Sequence, residues 1–312
     1  MPPGYNQRQL HLAELQQIDR VHPGAVTSWR GWLPVILLPA AVIVVMPGRA
    51  PRWAVMWSLA FAIYCGCKWL TWRRTPVADV PAWRHAAYLL AWPGLDAAAF
   101  LGDDSIADVP RGAWIRGVRN VGAGLLLFFG LARLVLPRSA YLAGWIGMTG
   151  VALIVHFGIF ELLSCGWRRA GIEARPLMNV PVRSQSLGEF WGRRWNTAFR
   201  DLTHRFLFRP LTRRLGVPAG VAGGFVFSGL VHDLVISWPA SGGWGGPTLF
   251  FAIQGGGILL ERSRAGRHAR LGTGTVGRLF AAVALLLPAP LLFHPPFVER
   301  IVIPFMEALG AL

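Results

Sequence analysis

His232 is the first residue around which chemistry can be argued. It lies a little beyond the midpoint of the apolar run 221–238, between Val231 and Asp233. A charge is expensive in lipid. An uncharged imidazole keeps a lone pair that can take a proton from a hydroxyl, which is what a general base in acyl transfer must do. Ser228 stands one helical turn earlier on the same face. Asp233 points about 100° away on a helix, so it is a poor orienting partner and one is expected from elsewhere in the bundle. Gly223, Gly224 and Gly229 would let another helix or a substrate chain come close. The plainer reading of His232 is an interhelical hydrogen-bonding histidine.

A second candidate closes the heptad Phe190-Trp191-Gly192-Arg193-Arg194-Trp195-Asn196. Residues 186–210 read as one amphipathic helix lying in the headgroup region. Ser186 suits its N-cap, with Glu189 three residues on. Phe190, Trp191, Trp195, Phe199, Leu202, Phe206 and Leu207 form an apolar stripe, and Arg193, Arg194, Arg200 and Arg205 take other faces. Periodicity alone makes Asn196 a solvated amide near the stripe edge.

These residues need a scaffold, and the composition says which kind. Of 312 residues, 54% are hydrophobic and 15% charged, against about a quarter charged in a soluble chain. The mean hydropathy is +0.44. Apolar runs at 32–46, 53–70, 118–136, 140–164, 217–238, 245–261 and 277–294 predict an all-α polytopic membrane protein. Residues 297–312 read as a partial span. Residues 86–101 are interrupted by Pro93-Gly94, with Asp96 following, and are expected as a broken or re-entrant segment buried against the bundle. No long polar linker divides the chain, so 1–312 reads as one membrane-embedded domain with a polar N-terminal segment over 1–31. The first apolar run has no cleavage site after it and is expected to be a retained anchor.

The formal net charge of +16 excludes less than it suggests. The arginines sit between apolar runs, so topology explains them and nucleic acid is not an expected partner. Residues 167–214 carry eleven arginines against Glu173, Glu189 and Asp201. This loop, the one around Arg111, Arg116 and Arg119, and the one at 262–270 fall on the same side, which the positive-inside rule makes cytoplasmic. The expected location is a bacterial inner membrane. Cys65, Cys67 and Cys165 fit no zinc spacing, so neither a metal nor a bound cofactor is expected. Lys68 is the only lysine. Nothing in the sequence speaks to the oligomeric state.

Taken together, the heptad and the histidine segment resemble a known family. Ser186-Leu187 followed by the heptad is similar to the signature of wax synthases, the long-chain-alcohol O-fatty-acyltransferases of the membrane-bound O-acyltransferase superfamily. Pro176-Leu177-Met178-Asn179-Val180-Pro181 resembles the usual lead-in, and Phe227-Ser228-Gly229-Leu230-Val231-His232 the histidine motif. Phe250-Phe251-Ala252-Ile253-Gln254-Gly255, ending in Glu261, resembles the helix that follows. The resemblance covers 175–262. It implies a superfamily-type bundle of about seven to nine membrane helices, each of ~20 residues, plus the interfacial helix. It further implies acyl-CoA as donor co-substrate and a lipophilic alcohol as acceptor. His232 matches the catalytic histidine, and Asn196 the amide that assists. Trp191, Arg193, Arg194, Trp195, Ser228 and Gln254 become candidates for substrate contact. Many relatives carry Glu where this chain has Asp233.

Other residues keep alternatives open. Glu261 reads either as a tunnel-end group or as the partner of a nearby arginine. His156 and Glu161 lie five apart in one run and mark a polar interior. With His232 and Asp233 they could instead form the proton relay of a transporter. An inactive lipid-binding scaffold is a third reading.

Overall fold

Helices account for all the regular secondary structure among the described residues of the computed structural model, which are 29–46, 48, 50–77, 79–102 and 108–312. The polar segment expected over 1–31 lies outside them except for its last three positions. Five helical stretches are long and apolar enough to cross a membrane: α2 (Arg52–Arg73), α5 (Arg111–Val135), α6 (Ala140–Arg169), Thr197–Ala240 and α11 (Gly274–Leu292). The fourth bends at Gly216, whose φ of 84° is not helical, into α8 (197–215) and α9 (217–240).

Two expected spans are short of that length. The run 32–46 yields α1 (Leu33–Val45), 13 residues interrupted by Pro39. The run 245–261 yields α10 (Gly246–Arg262), 17 residues, or roughly 26 Å at 1.5 Å per residue. Protein buries one face of α10, at Phe250, Phe251, Gln254, Gly255 and Ile258, while Leu249, Ile253 and Leu260 on the other are exposed. The 297–312 segment is likewise buried on one face. Its helix over 295–308 buries Val298, Ile301, Val302 and Met306. Gly147 of α6 admits Met306, whose Sδ lies where a Cβ would stand.

The 86–101 stretch is broken as expected. α3 (Ala82–Ala91) stops before Trp92, and α4 (Ala97–Leu101) starts after Asp96, whose Oδ1 accepts from the Ala99 N–H at 3.0 Å. Lys68 of α2 repairs the gap. Its Nζ donates to the Trp92 carbonyl at 2.7 Å and to the Gly94 carbonyl, and lies 3.4 Å from the Tyr88 ring centroid. Tyr64 Oη also donates to Trp92 O, at 3.2 Å. A backbone break at membrane depth persists only where such donors replace water. No feature of the sequence beyond its being the lone lysine marks Lys68 for this task.

Candidate active site

The site is built on the antiparallel pair α9 and α10, which pack extensively against each other. Gly229 brings the two backbones together: a Cβ there would lie 2.6 Å from Thr248 Cα. One turn on, the helix loosens into a π-turn over Asp233–Ser237, and His232 and Asp233 stand at that junction. Single π-turns inside α-helices are frequent at functional positions.

The partner of His232 comes from its own helix, not from elsewhere in the bundle. Nδ1 lies 2.7 Å from the Ser228 carbonyl oxygen, four residues back. A carbonyl can only accept, so Nδ1 carries the proton and Nε2 keeps its lone pair in the neutral ring. The Phe251 ring of α10 packs against the imidazole, centroid to centroid 4.5 Å. Ser228 thus enters the site through its backbone.

Asp233 faces the other way. Its carboxylate accepts from Ser237 Oγ at 2.8 Å, Gly245 N–H at 2.9 Å, Thr248 N–H at 3.0 Å and Thr248 Oγ. Glu161 accepts from Arg116 at 2.9 Å. His156 lies flat beside Trp195, at 6.5 Å and 15°, with its Nδ1 buried and unpartnered. The hydrogen bonds of His232, Asp233 and Glu161 therefore lead to different places, and the four groups form no relay among the described residues.

The heptad reaches His232 through one ring. Trp191 packs on Phe251 at 5.6 Å and on Phe225 of α9 at 5.7 Å. Its Nε1 donates to Gln254 Oε1 at 3.3 Å, and Gln254 Nε2 donates to the Ala284 carbonyl at 2.8 Å. Gln254 is fully buried between these partners and fixes Trp191. Among the described residues Glu261 meets backbone amides. Its Oε2 accepts from the Leu187 and Gly188 N–H groups at 2.8 and 3.3 Å, closing the amino end of α7 (187–194). Ser186 caps the same helix through Glu189 N–H at 2.9 Å.

The expected single helix over 186–210 is two. α7 ends in a π-turn, Trp195 is extended, and Asn196 adopts left-handed φ, ψ of 42°, 61° before α8 begins. The hydrophobic stripe conceals the break because its spacing resumes in α8. Asn196 sits at the break, and left-handed backbone is tolerated best by asparagine among side-chain-bearing residues. Its Oδ1 accepts from Phe199 N–H at 3.4 Å, and its N–H donates to Met178 Sδ at 3.3 Å. The lead-in runs beside the break as a strap: Asn179 N–H donates to Arg194 O, and Thr197 N–H to Leu177 O. Trp195 stacks on Phe190 at 5.4 Å and packs against Phe157 of α6 at 6.0 Å.

The two arginines differ. Arg194 is committed: it pairs with Glu189 at 2.6 Å and donates to the Asn179 and Val180 carbonyls at 3.2 and 3.4 Å. Arg193 is exposed, and lines a cleft of about 330 Å³ with Trp92, Asp96, Arg175, Asn179 and Asp201. One cleft wall is the turn at 92–96 that Lys68 holds.

Glu189 gives a pH test of the heptad. Burial alone would raise its carboxyl, but the Gln185 N–H and the Arg194 guanidinium outweigh burial and hold it below the ordinary carboxylate range. A carboxylate depressed in the fold stabilises fully above its unfolded pKa and loses that contribution as pH falls through its folded value. The thermal midpoint of wild type should exceed that of Glu189→Gln at pH 7, with the gap closing as the pH falls below the ordinary carboxylate range. A constant gap would mean that the ion pair does not stabilise the heptad.

The helical bundle, with its membrane-length apolar helices, defines a polytopic α-helical membrane protein. Residues 174–253, which hold Trp191, Asn196 and His232, match the model of the Membrane bound O-acyl transferase family. Over 139 residues the chain is 31% identical to the "Probable long-chain-alcohol O-fatty-acyltransferase 1" of Arabidopsis thaliana, covering 40% of this chain and 39% of that protein. A second Arabidopsis protein with the same title, numbered 2, is 32% identical over 141 residues, with 42% and 41% covered. The "Long-chain-alcohol O-fatty-acyltransferase" of Simmondsia chinensis is 29% identical over 101 residues, 27% of each chain. The chain thus spans about two-fifths or less of the curated relatives it matches. The wax-synthase likeness read from the heptad and the histidine motif is met over that segment.

Proposed function

We propose that the protein transfers a fatty acyl group from acyl-CoA to the hydroxyl of a lipophilic alcohol, forming an ester of the wax type. One observation carries the reading: Trp191 of the heptad and His232 pack on the same Phe251 ring. Two residues 41 positions apart in sequence meet at one place, inside the segment that matches the acyltransferase family.

His232 Nε2 takes the proton of the alcohol hydroxyl as the oxygen attacks the thioester carbonyl carbon. The Ser228 carbonyl holds the ring through Nδ1 and stabilises the positive charge it gains. Collapse of the tetrahedral intermediate breaks the C–S bond. The imidazolium returns its proton to the departing CoA sulfur, so the ring ends neutral. No covalent acyl-enzyme is required, and no metal or bound cofactor enters the scheme. Asn196 assists at the carbonyl or the acceptor hydroxyl through its side-chain amide. Trp191 and Trp195 supply the aromatic wall beside the acyl chain. Arg193 meets a phosphate of CoA, for which a guanidinium is suited. Arg194, already paired, shapes the loop that presents it. The Arg-rich loops face the cytoplasm, so the donor enters from there and the alcohol from the membrane.

The test incubates the purified protein with a long-chain acyl-CoA and a panel of alcohols, following free CoA and ester. Alcohol-dependent CoA release with matching ester is expected. Absence of ester with every hydroxyl acceptor overturns the reading, and pH-driven solute uptake in vesicles would favour a transporter. Asn196→Ala is expected to lower turnover further than it lowers the yield of folded protein. An unaltered rate would leave Asn196 as the cap of α8 and nothing more.

A further inference from the structure

Asp233 adjoins His232, yet the reaction gives it no task. Its surroundings do. The carboxylate lies over the amino end of α10 and receives four hydrogen bonds, three of them from Gly245 and Thr248 at that end. The fourth comes from Ser237, on the π-turn that follows Asp233 itself. Ser237 Oγ also lies 3.2 Å from His294 Nε2. His294 Nδ1 accepts from Phe297 N–H, so Nε2 is the protonated nitrogen and points a donor at Ser237. Every acceptor position of Asp233 that faces α10 is in use.

The geometry along α10 gives this capping a consequence. Thr248 and Phe251 are three residues apart and share one face of that helix. On α9 their partners are consecutive: Asp233 meets Thr248, and His232 meets Phe251. Just beside this pair, Gly229 lets the two backbones come close, at Thr248. A carboxylate at a helix N-terminus satisfies N–H groups that have no helical acceptor, and its charge suits the positive end of the dipole. We propose that Asp233 is the positioning residue of the site: by capping α10 it seats Phe251 against the imidazole, and it moves no proton in the reaction. The inference rests on the reading of His232 as the base. It assigns the carboxylate after the histidine to architecture.

The experiment compares wild type with Asp233→Asn, Asp233→Glu and Thr248→Val in the ester assay over a range of pH, with amide hydrogen exchange across 243–252 of each purified protein. Asp233→Asn is expected to lower kcat roughly 10- to 100-fold, the scale of a misplacement near 1 Å. It should leave KM for acyl-CoA and the shape of the pH–rate profile unchanged, while the Gly245 and Thr248 amides exchange faster. Asp233→Glu should recover part of the rate. Thr248→Val should reproduce part of the loss, and Asp233→Asn combined with Thr248→Val should cost little more than Asp233→Asn alone, because the two act through one contact. Loss of a limb of the pH profile in Asp233→Asn, with exchange at α10 unchanged, would overturn the proposal and make Asp233 a proton carrier. So would full activity of Asp233→Asn. If Asp233→Asn does not fold, Thr248→Val alone decides by the same readouts. Failure of wild type to make any ester would refute the functional reading, and the exchange measurement would still show whether Asp233 holds α10.

Discussion

Replacing His232 by glutamine is expected to cut alcohol-dependent CoA release by roughly 10²–10⁴-fold, the usual contribution of a positioned general base. Glutamine is preferred to alanine because its amide can still donate toward the Ser228 carbonyl and fill the space beside Phe251, so the α9–α10 contact survives. His232→Ala should lose at least as much. The loss should fall on kcat with both substrates bound, because the imidazole is needed when the hydroxyl proton moves and not when acyl-CoA docks. Acyl-CoA binding, measured separately by titration, should stay within a few-fold of wild type. Turnover by His232→Gln equal to that of wild type would remove His232 as the base.

Gly229→Ala should have an effect of similar weight by a different route. The added methyl would meet the Thr248 Cα at 2.6 Å and the Thr248 carbonyl oxygen at 3.2 Å. Carbon atoms rest comfortably at about 3.5–4.0 Å, so the helices must part by about 1 Å. The obstacle is backbone, which has no rotamer to yield. Overpacking of this kind costs about 1–3 kcal/mol. Parting α9 from α10 would also stretch the Asp233 cap and lift Phe251 off the imidazole, and 1 Å at a reacting centre is worth about 100-fold. Gly224→Ala is the control on the same helix, since nothing lies within 4 Å of its added methyl. It should keep full activity and gain stability, as Ala exceeds Gly in a helix by up to ~1 kcal/mol. Ester formation and thermal midpoints of the two variants test the contrast, and equal behaviour would remove the close contact from the account.

What the sequence made legible follows from how local each interaction is. The break at 92–96 was readable because Pro93-Gly94 ends a helix by its own chemistry. The Ser186 cap was readable because its partner is three residues away. The bond from His232 to Ser228 O was within reach of the same reasoning: a four-residue spacing brings a side chain beside a carbonyl of the preceding turn. Three other groups were beyond it. Glu261 caps a helix 74 residues before it, Lys68 fills a gap 24 to 26 residues after it, and Asp233 closes a helix start through groups 12 and 15 residues on. No periodicity encodes such pairs, since they exist only once the helices are packed. The break at Asn196 was hidden for the opposite reason. The apolar stripe continues through it, because both short helices press the same kind of face against the bundle.

Lys68 has a consequence for chemical labelling. It is the only lysine in the 312-residue sequence, it is 2% exposed, and its amine is held by the Trp92 and Gly94 carbonyls and the Tyr88 ring. An amine-selective acylating reagent therefore has no other side chain to attack, and it reaches this one only when the turn between α3 and α4 lifts away. That turn is a wall of the cleft beside Arg193. The rate at which Lys68 is modified would thus count the openings of that wall, in the native sequence and without an engineered probe.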